Sequence, residues 1–267
     1  METLTSSQNP KIKRILSLRK KRERDQTNLF LIEGYRELLS AVDNGFSIKS
    51  LFVCPEFFLK TNEKALVDKI QKKTCDIYKL PEYLFEKISY RDRPDGLLAI
   101  AKQESLSLEK IKDLCKEGVY FVVAESIEKP GNLGTILRSS DAAGAAFLVV
   151  CDPCTDIFNP NVVRASVGTL FTVPVVVCDK NEFFSFCKKE KITICAATPA
   201  AKKIFTQTDL SGKIALCMGT EQYGLSDQFL QKADLLVKIP MMGKADSLNV
   251  ASATTLMLYE TLRQRQG

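Results

Sequence analysis

Histidine is absent from this 267-residue chain. That closes Ser-His-Asp hydrolysis, Cys-His proteolysis and His-ligated metal chemistry. Proton transfer is left to carboxylates, Lys, Tyr, Cys or water. No apolar run reaches the roughly 18 residues of a membrane-spanning helix. The first residues, METLTSSQNPKIKRIL, lack the apolar centre of a signal peptide, and Glu23 and Asp25 argue against a transit peptide. The expected location is therefore cytoplasmic. Neither a GxGxxG nor a Walker pattern occurs, so the usual phosphate loops of nucleotide enzymes are missing. The single CxxC, Cys151 to Cys154, has neither a second CxxC nor a His to complete a zinc site. No metal is expected. Nine cysteines make an odd count, and Cys54, Cys178, Cys195 and Cys217 sit in apolar runs, where Cys acts as a small hydrophobe.

The chain is 45% hydrophobic and 26% charged, an ordinary globular composition. Its net charge of +6 is unevenly placed. Residues 1–26 carry eight Lys/Arg against three Asp/Glu, nearly the whole excess, while residues 106–267 carry 18 against 17. A basic block on an otherwise balanced chain suits a phosphate backbone, and Lys11, Lys13, Arg14, Arg19, Lys20 and Lys21 are its candidate phosphate contacts. The plain alternative is a solvated helical face.

Residues 1–105 alternate extended and helical patterns: TNLFLIEGYRELLSAVDNG, IKSLFVCPEF, TNEKALVDKIQKK, CDIYKL, PEYLFEKIS, DGLLAIAK. They predict a small α/β domain. Residues 106–118 predict a linker helix, and 119–267 a second domain. There, six apolar runs at 119–126, 145–152, 171–178, 191–198, 213–220 and 235–241 alternate with helix-compatible stretches. Near-continuously apolar strands separated by helices predict a parallel sheet covered on both faces. Such sheets bind ligands at the carboxyl ends of their strands, so the segments after each run are the ones to read.

ESIEKPGNLGTILRSSDAAG follows the first run, with Pro130 and Gly131 read as a turn, Asn132 as the helix cap and Arg138 on the second turn. MGTEQYGLS follows the fifth, with Glu221 bracketed by Gly219 and Gly224. IPMMGKADSLNVASATTLMLYE follows the sixth, with Ser247 read as the cap of the last helix and Asn249 in its first turn.

NLGTILR, MGTEQYGLS and IPMMGKADSLNVASA, in this order and spacing, resemble the three signature motifs of the SpoU/TrmH family of RNA ribose 2'-O-methyltransferases. FNPNVVRASVGTLFTVPV resembles the segment between the first two, and the match covers about 119–260. The resemblance implies a SPOUT α/β domain with a deep trefoil knot, a homodimer, and S-adenosylmethionine (AdoMet) as methyl donor. It also implies that the first domain, resembling an RNA-binding ribosomal protein, holds the substrate. Carried over by position, Asn132, Arg138, Glu221, Ser247 and Asn249 are catalytic candidates. Thr198, Gly219, Ile239, Met241 and Leu248 are cofactor contacts, with Ile239 and Leu248 flanking the adenine and Gly219 leaving room for the ribose. Asn161 departs from the pattern, since the family often has a basic residue there.

The implied reaction is attack of a ribose 2'-hydroxyl on a sulfonium methyl. The family assigns removal of the hydroxyl proton to the arginine, here Arg138. A free guanidinium holds its proton up to about pH 12.5 or beyond. Arg138 is therefore either a base made so by its surroundings or a group that holds phosphate and stabilises the developing alkoxide. A separate first domain favours ribosomal RNA over tRNA as substrate. A non-catalytic RNA-binding protein of the same fold is the remaining alternative.

Overall fold

The computed structural model describes residues 1–72 and 75–266. The chain forms two units, Met1–Glu104 with Asp156–Thr172, and Ser105–Thr155 with Val173–Gly267. In chain order the elements begin with β1 (Glu2–Thr3), α1 (Pro10–Ser17), α2 (Lys21–Thr27), β2 (Leu29–Glu33), α3 (Tyr35–Asp43), β3 (Ile48–Val53), α4 (Asn62–Gln71), β4 (Asp76–Lys79), α5 (Glu82–Ile88) and β5 (Leu97–Lys102). Next come α6 (Leu108–Ile111), β6 (Tyr120–Glu125), α7 (Pro130–Ala143), β7 (Leu148–Cys151) and α8 (Pro160–Ser166). The remainder is β8 (Val175–Cys178), α9 (Lys180–Glu190), β9 (Thr193–Ala197), β10 (Lys203–Ile204), β11 (Ile214–Met218), α10 (Asp227–Lys232), β12 (Leu235–Lys238) and α11 (Val250–Gln266).

Unit 1 is built on a mixed sheet in the order β1-β4-β3-β5-β2, with β5 antiparallel to both β2 and β3. Asn9 starts α1 by accepting the Lys11 amide at 2.9 Å, and Pro10 supplies a first-turn residue with no donor to satisfy. Ile12 and Ile15 turn inward while Lys13 and Arg14 stay exposed, so one short helix separates core from charge. Arg24, 1% exposed, is ion-paired with Asp156 at 2.6 Å and donates to the Leu18 and Arg19 carbonyls at 2.9 Å. It belongs to the basic block in sequence but is withdrawn from solvent. The rings of Phe30 and Phe158 lie 4.6 Å apart, so the 156–172 segment makes a hydrophobic contact with the first sheet as well as an ion pair with α2.

Unit 2 carries a seven-stranded sheet, order β10-β12-β9-β11-β6-β7-β8, and every pairing in it is parallel. Each of the six apolar runs contains one of its strands; β10 escapes the sequence reading because two residues carry no periodicity. Phe121 and Phe147 stack at 4.1 Å, and Phe183, Phe184 and Phe229 cluster in the core beneath α9 and α10. Burying each such ring removes its apolar surface from water, about 1.5–3 kcal/mol per side chain. α7 packs along α11, with the Ser139 and Thr255 hydroxyls 2.6 Å apart. Among the described residues no helix is long and apolar enough to cross a membrane.

Two expected helix starts move. α7 begins at Pro130, not after a Pro-Gly turn, and Lys129 stands at its cap with extended backbone. Proline suits the first helical position because its missing N–H would have had no partner there. Asn132 therefore lies in the first turn. At α11 the capping side chain is Asn249, not Ser247: its Oδ1 accepts the Ala251 amide and its carbonyl accepts the Ala253 amide, both at 2.9 Å.

Candidate active site

The loops after β9, β11 and β12, three adjacent strands, together with the residues leading into α11, enclose a cavity of about 360 Å³. That lies within the range of small-molecule sites, at the end of the sheet where open α/β folds bind ligands. Thr198, Gly219, Ile239, Met241 and Leu248 all line it, as do Glu221 and Ser247. The lining also includes Pro199, Tyr223, Leu230 and Asp246, none of which stood out in the sequence. Asp246 lies inside the third motif but was hidden among polar neighbours.

Gly219 has a different reason from the expected one. A Cβ there would come within 2.1 Å of the Gly224 carbonyl carbon and 2.2 Å of the Leu225 nitrogen. The residue is small because the loop closes back on itself, where Thr220 and Gly224 exchange two backbone hydrogen bonds of 3.0 Å. The loop is anchored at its far end too. Glu125, 3% exposed at the end of β6, accepts the Ser226 amide at 2.8 Å and its hydroxyl at 2.6 Å. Lys180, 3.7 Å from Glu125 and 2.9 Å from Asp152, offsets the buried charge. Glu125 ends an apolar run, and nothing in the sequence pointed from it to Ser226.

Three catalytic candidates meet at the border of this cavity. Asn249 Nδ2 donates to Asn132 Oδ1 at 3.1 Å, and Asn132 Nδ2 donates to Glu221 Oε1. A donor–acceptor chain thus runs from the cap of α11 through the first turn of α7 to the β11 loop. Each amide uses both its ends, so oxygen and nitrogen cannot exchange places without breaking a bond. Arg138 is not part of it. It is exposed on α7, on the face shared with Gly131 and Thr135, and does not line the cavity.

The six basic candidates are not equivalent. Lys13, Lys20 and Lys21 are exposed, with Lys21 paired to Asp25 at 2.7 Å. Lys11 lies 3.5 Å from Glu2, and Arg14 is exposed without a salt bridge among the described residues. Arg19 donates to the Ile88 and Ser89 carbonyls at 2.8 Å and lies against the Tyr90 ring, which makes it a brace within unit 1. Asn161 donates to the Tyr90 hydroxyl at 3.3 Å. The CxxC does not assemble either. Cys151 is buried 4.0 Å from Cys178 on the neighbouring strand, whereas Cys154 is exposed. Among the described residues no cluster of His, Cys, Asp or Glu is arranged to hold a metal.

An all-parallel sheet with a ligand-sized cavity at its strand ends, closed by tight backbone loops and bordered by a fixed polar chain, defines a cofactor-dependent α/β enzyme core. Residues 120–259 match the model of the SpoU rRNA Methylase family, and residues 9–99 match the MRM3-like substrate binding domain. The chain belongs to the SpoU family of RNA 2'-O-methyltransferases. It is 29% identical over 97% of its length to the 23S rRNA (guanosine(2553)-2'-O)-methyltransferase RlmP of Bacillus subtilis, covering 98% of that protein. It is 31% identical over 91% of its length to the 23S rRNA (uridine(2479)-2'-O)-methyltransferase of Streptomyces viridochromogenes, covering 85% of it. An AdoMet-bound rRNA methyltransferase from Sinorhizobium meliloti superposes with a TM-score of 0.89 at 32% identity, over 98% of this chain and 97% of that one.

Proposed function

We propose that this chain transfers a methyl group from AdoMet to a ribose 2'-hydroxyl of ribosomal RNA. The observation that carries the reading is the Asn249–Asn132–Glu221 chain at the edge of the cavity, which joins all three signature segments. The cavity suits AdoMet in its donor set. The loops supply backbone amides and carbonyls for an adenine, Ile239 and Leu248 supply apolar walls, and Glu221 and Asp246 supply carboxylates near a cation. AdoMet brings an electrophilic methyl on a sulfonium, so no metal is needed for activation.

The chain's own residues then have orienting work to do. Asn132, held from both sides, keeps Glu221 in one position beside the cavity, and Ser247 adds a hydroxyl to the same wall. Fixing the acceptor against the donor removes much of the entropic barrier of a bimolecular step. Arg138, exposed on α7, is assigned to the RNA side, holding a phosphate and stabilising charge on the attacking oxygen; its planar fork suits a phosphate.

Three further features complete the reading. The segment after β12 threads a loop to form a deep trefoil knot, a reading supported by the crossed strand order β12-β9-β11-β6 and by family membership. The active form is a homodimer. Support comes from the outer face of α11, where Ser252, Leu256, Tyr259 and Arg263 recur at helical spacing, with Leu256 42% and Tyr259 48% exposed. Residues 1–105 hold the RNA, and the rest of the chain carries out the transfer in the cytoplasm, with two changes to the expected bounds: Asp156–Thr172 packs into the first unit, and 106–118 is part of the second, where Leu108 and Ile111 of the short α6 enter the core. Mapping 2'-O-methyl groups in total RNA from a deletion strain tests the reading. One ribosomal position losing its mark, and regaining it with purified protein and AdoMet, is the expected result; an unchanged ribosomal map with a lost tRNA mark moves the substrate to tRNA.

A further inference from the structure

Unit 1 contains a groove of about 680 Å³ remote in sequence from every cofactor residue. Lys11 and Arg14 reach it from α1, Lys49 from β3 and Lys102 from β5. Lys49 is the second residue of its strand and Lys102 the last of its own; because β3 and β5 run antiparallel, with Ile48 opposite Ala101, both lysines arrive at the same end of the sheet. Lys11 and Arg14 are three residues apart and so share a helical face. Four cations thus surround one concavity whose only acid is Asp76.

Among the described residues, Arg14, Lys49 and Lys102 have no salt-bridge partner, and all three are exposed. Like charges gathered around a concavity repel, and the fold gains nothing from holding them there unless a polyanion completes the site. Asn28 and Ser50 add neutral polar groups to the lining. The groove's two aromatic rings are not stacking platforms. Phe52 is 1% exposed and stacks on Tyr78 with centroids 5.3 Å apart, while Tyr78 is 6% exposed with Lys11 Nζ 4.6 Å from its ring centroid, so both faces are already covered. What remains to be read is phosphate, not base.

We infer that this groove holds the sugar–phosphate backbone of a single-stranded RNA segment, with Lys49 and Lys102 as phosphate contacts beside Lys11 and Arg14, and with little preference among bases. A concavity of this size admits one extruded strand rather than a duplex. The inference rests on the RNA-modifying reading above and narrows the RNA path to one end of the first sheet, away from Lys13, Lys20 and Lys21.

The test uses the full-length protein and unstructured RNA oligonucleotides, with fluorescence anisotropy followed across a salt series. Wild type is compared with Lys49→Gln/Lys102→Gln and with Lys20→Gln/Lys21→Gln; thermal unfolding and AdoMet calorimetry report on folding. Each phosphate contact on a single strand contributes about 0.7 to the log–log salt slope, so the groove variant should flatten it by about 1.4. The Lys20/Lys21 variant should stay near the wild-type slope, and oligo-U and oligo-A should bind within about threefold of each other. Wild-type and groove variants with equal slopes overturn the groove and leave the RNA reading intact. Equal losses from both variants also overturn it, since a general basic surface would then be at work. A wild type with no salt-dependent RNA affinity overturns both readings.

Discussion

Asn132 and Glu221 stand 89 positions apart in the chain, and the side-chain amide of the first donates to the carboxylate of the second. Asn249 closes the chain from the other side, while its own Oδ1 caps α11. One residue therefore serves both stability and the site, and the two roles use different atoms.

Asn249→Asp separates them. The new carboxylate keeps an acceptor for the Ala251 amide but removes the donor to Asn132. Unfolding free energy should stay within about 0.5 kcal/mol of wild type, whereas Asn249→Ala should lose about 1 kcal/mol with the cap. Single-turnover methyl transfer should fall at least tenfold in both. An Asp variant with full activity would show that the amide chain is incidental.

Arg138→Ala should abolish transfer and leave AdoMet affinity nearly unchanged, because the side chain does not line the cavity. Arg138→Lys should fail as well, lacking the planar fork. An Ala variant retaining more than about a tenth of the wild-type rate, a barrier change under about 1.4 kcal/mol, would remove Arg138 from the centre of the reaction.

Gly219→Ala should cost AdoMet binding without unfolding the protein, since the added carbon meets the backbone of Gly224 and Leu225, which cannot step aside as a flexible side chain can. Gly243→Ala is the internal control, because a Cβ there meets nothing within 4 Å. Calorimetry with AdoMet distinguishes them; equal affinities would mean that the 219–225 loop opens at little cost.

The Arg24–Asp156 pair should behave as a buried charge pair. Arg24→Ala leaves Asp156 without its partner, and the loss should approach the roughly 3–5 kcal/mol typical of such breaks. An Arg24→Met/Asp156→Leu double variant should recover much of it, since neither charge is then stranded. Urea denaturation of the two variants is the measurement, and equal destabilisation would contradict the pairing argument.

Thiol chemistry offers a pH-dependent check. Of the nine cysteines only Cys154 is exposed. Burial pushes Cys54, Cys75 and Cys115 up to about 11 and Cys195 up to about 12. The thiolate is the reactive form, so at pH 8 a disulfide reagent should titrate one thiol quickly in the native protein and all nine after denaturation. Raising the pH toward 10 should speed Cys75, which is half-buried, before the core thiols. A second fast thiol at pH 8 would mean that partial burial does not protect Cys75, and the burial argument would fail.

Much of the architecture could be read directly from local pattern. The six apolar runs of the second half carry one dominant signal, continuous hydrophobicity with helical spacers, and a parallel sheet is the arrangement that buries such strands on both faces. That open sheets bind ligands after their strands pointed to the right loops, and the family resemblance named Thr198, Gly219, Ile239, Met241 and Leu248 there; Pro199, Tyr223, Leu230 and Asp246 line the same cavity without having stood out. Histidine's absence narrowed the chemistry before any fold was considered. What the sequence could not carry is distance between remote residues. Asn132 and Ser247 were assigned caps from local preference, and the helix starts moved because Pro130 fits a first turn and Asn249 competes better for α11. Glu125 reads as the end of a core strand until the fold brings Ser226 to it. Arg24 and Arg19 counted as part of a solvent-facing basic block until Asp156 and the Ile88 and Ser89 carbonyls took their donors. Lys49 and Lys102 are two isolated charges on a line of text. Antiparallel pairing makes them neighbours, because strand direction is a property of the sheet and not of either segment.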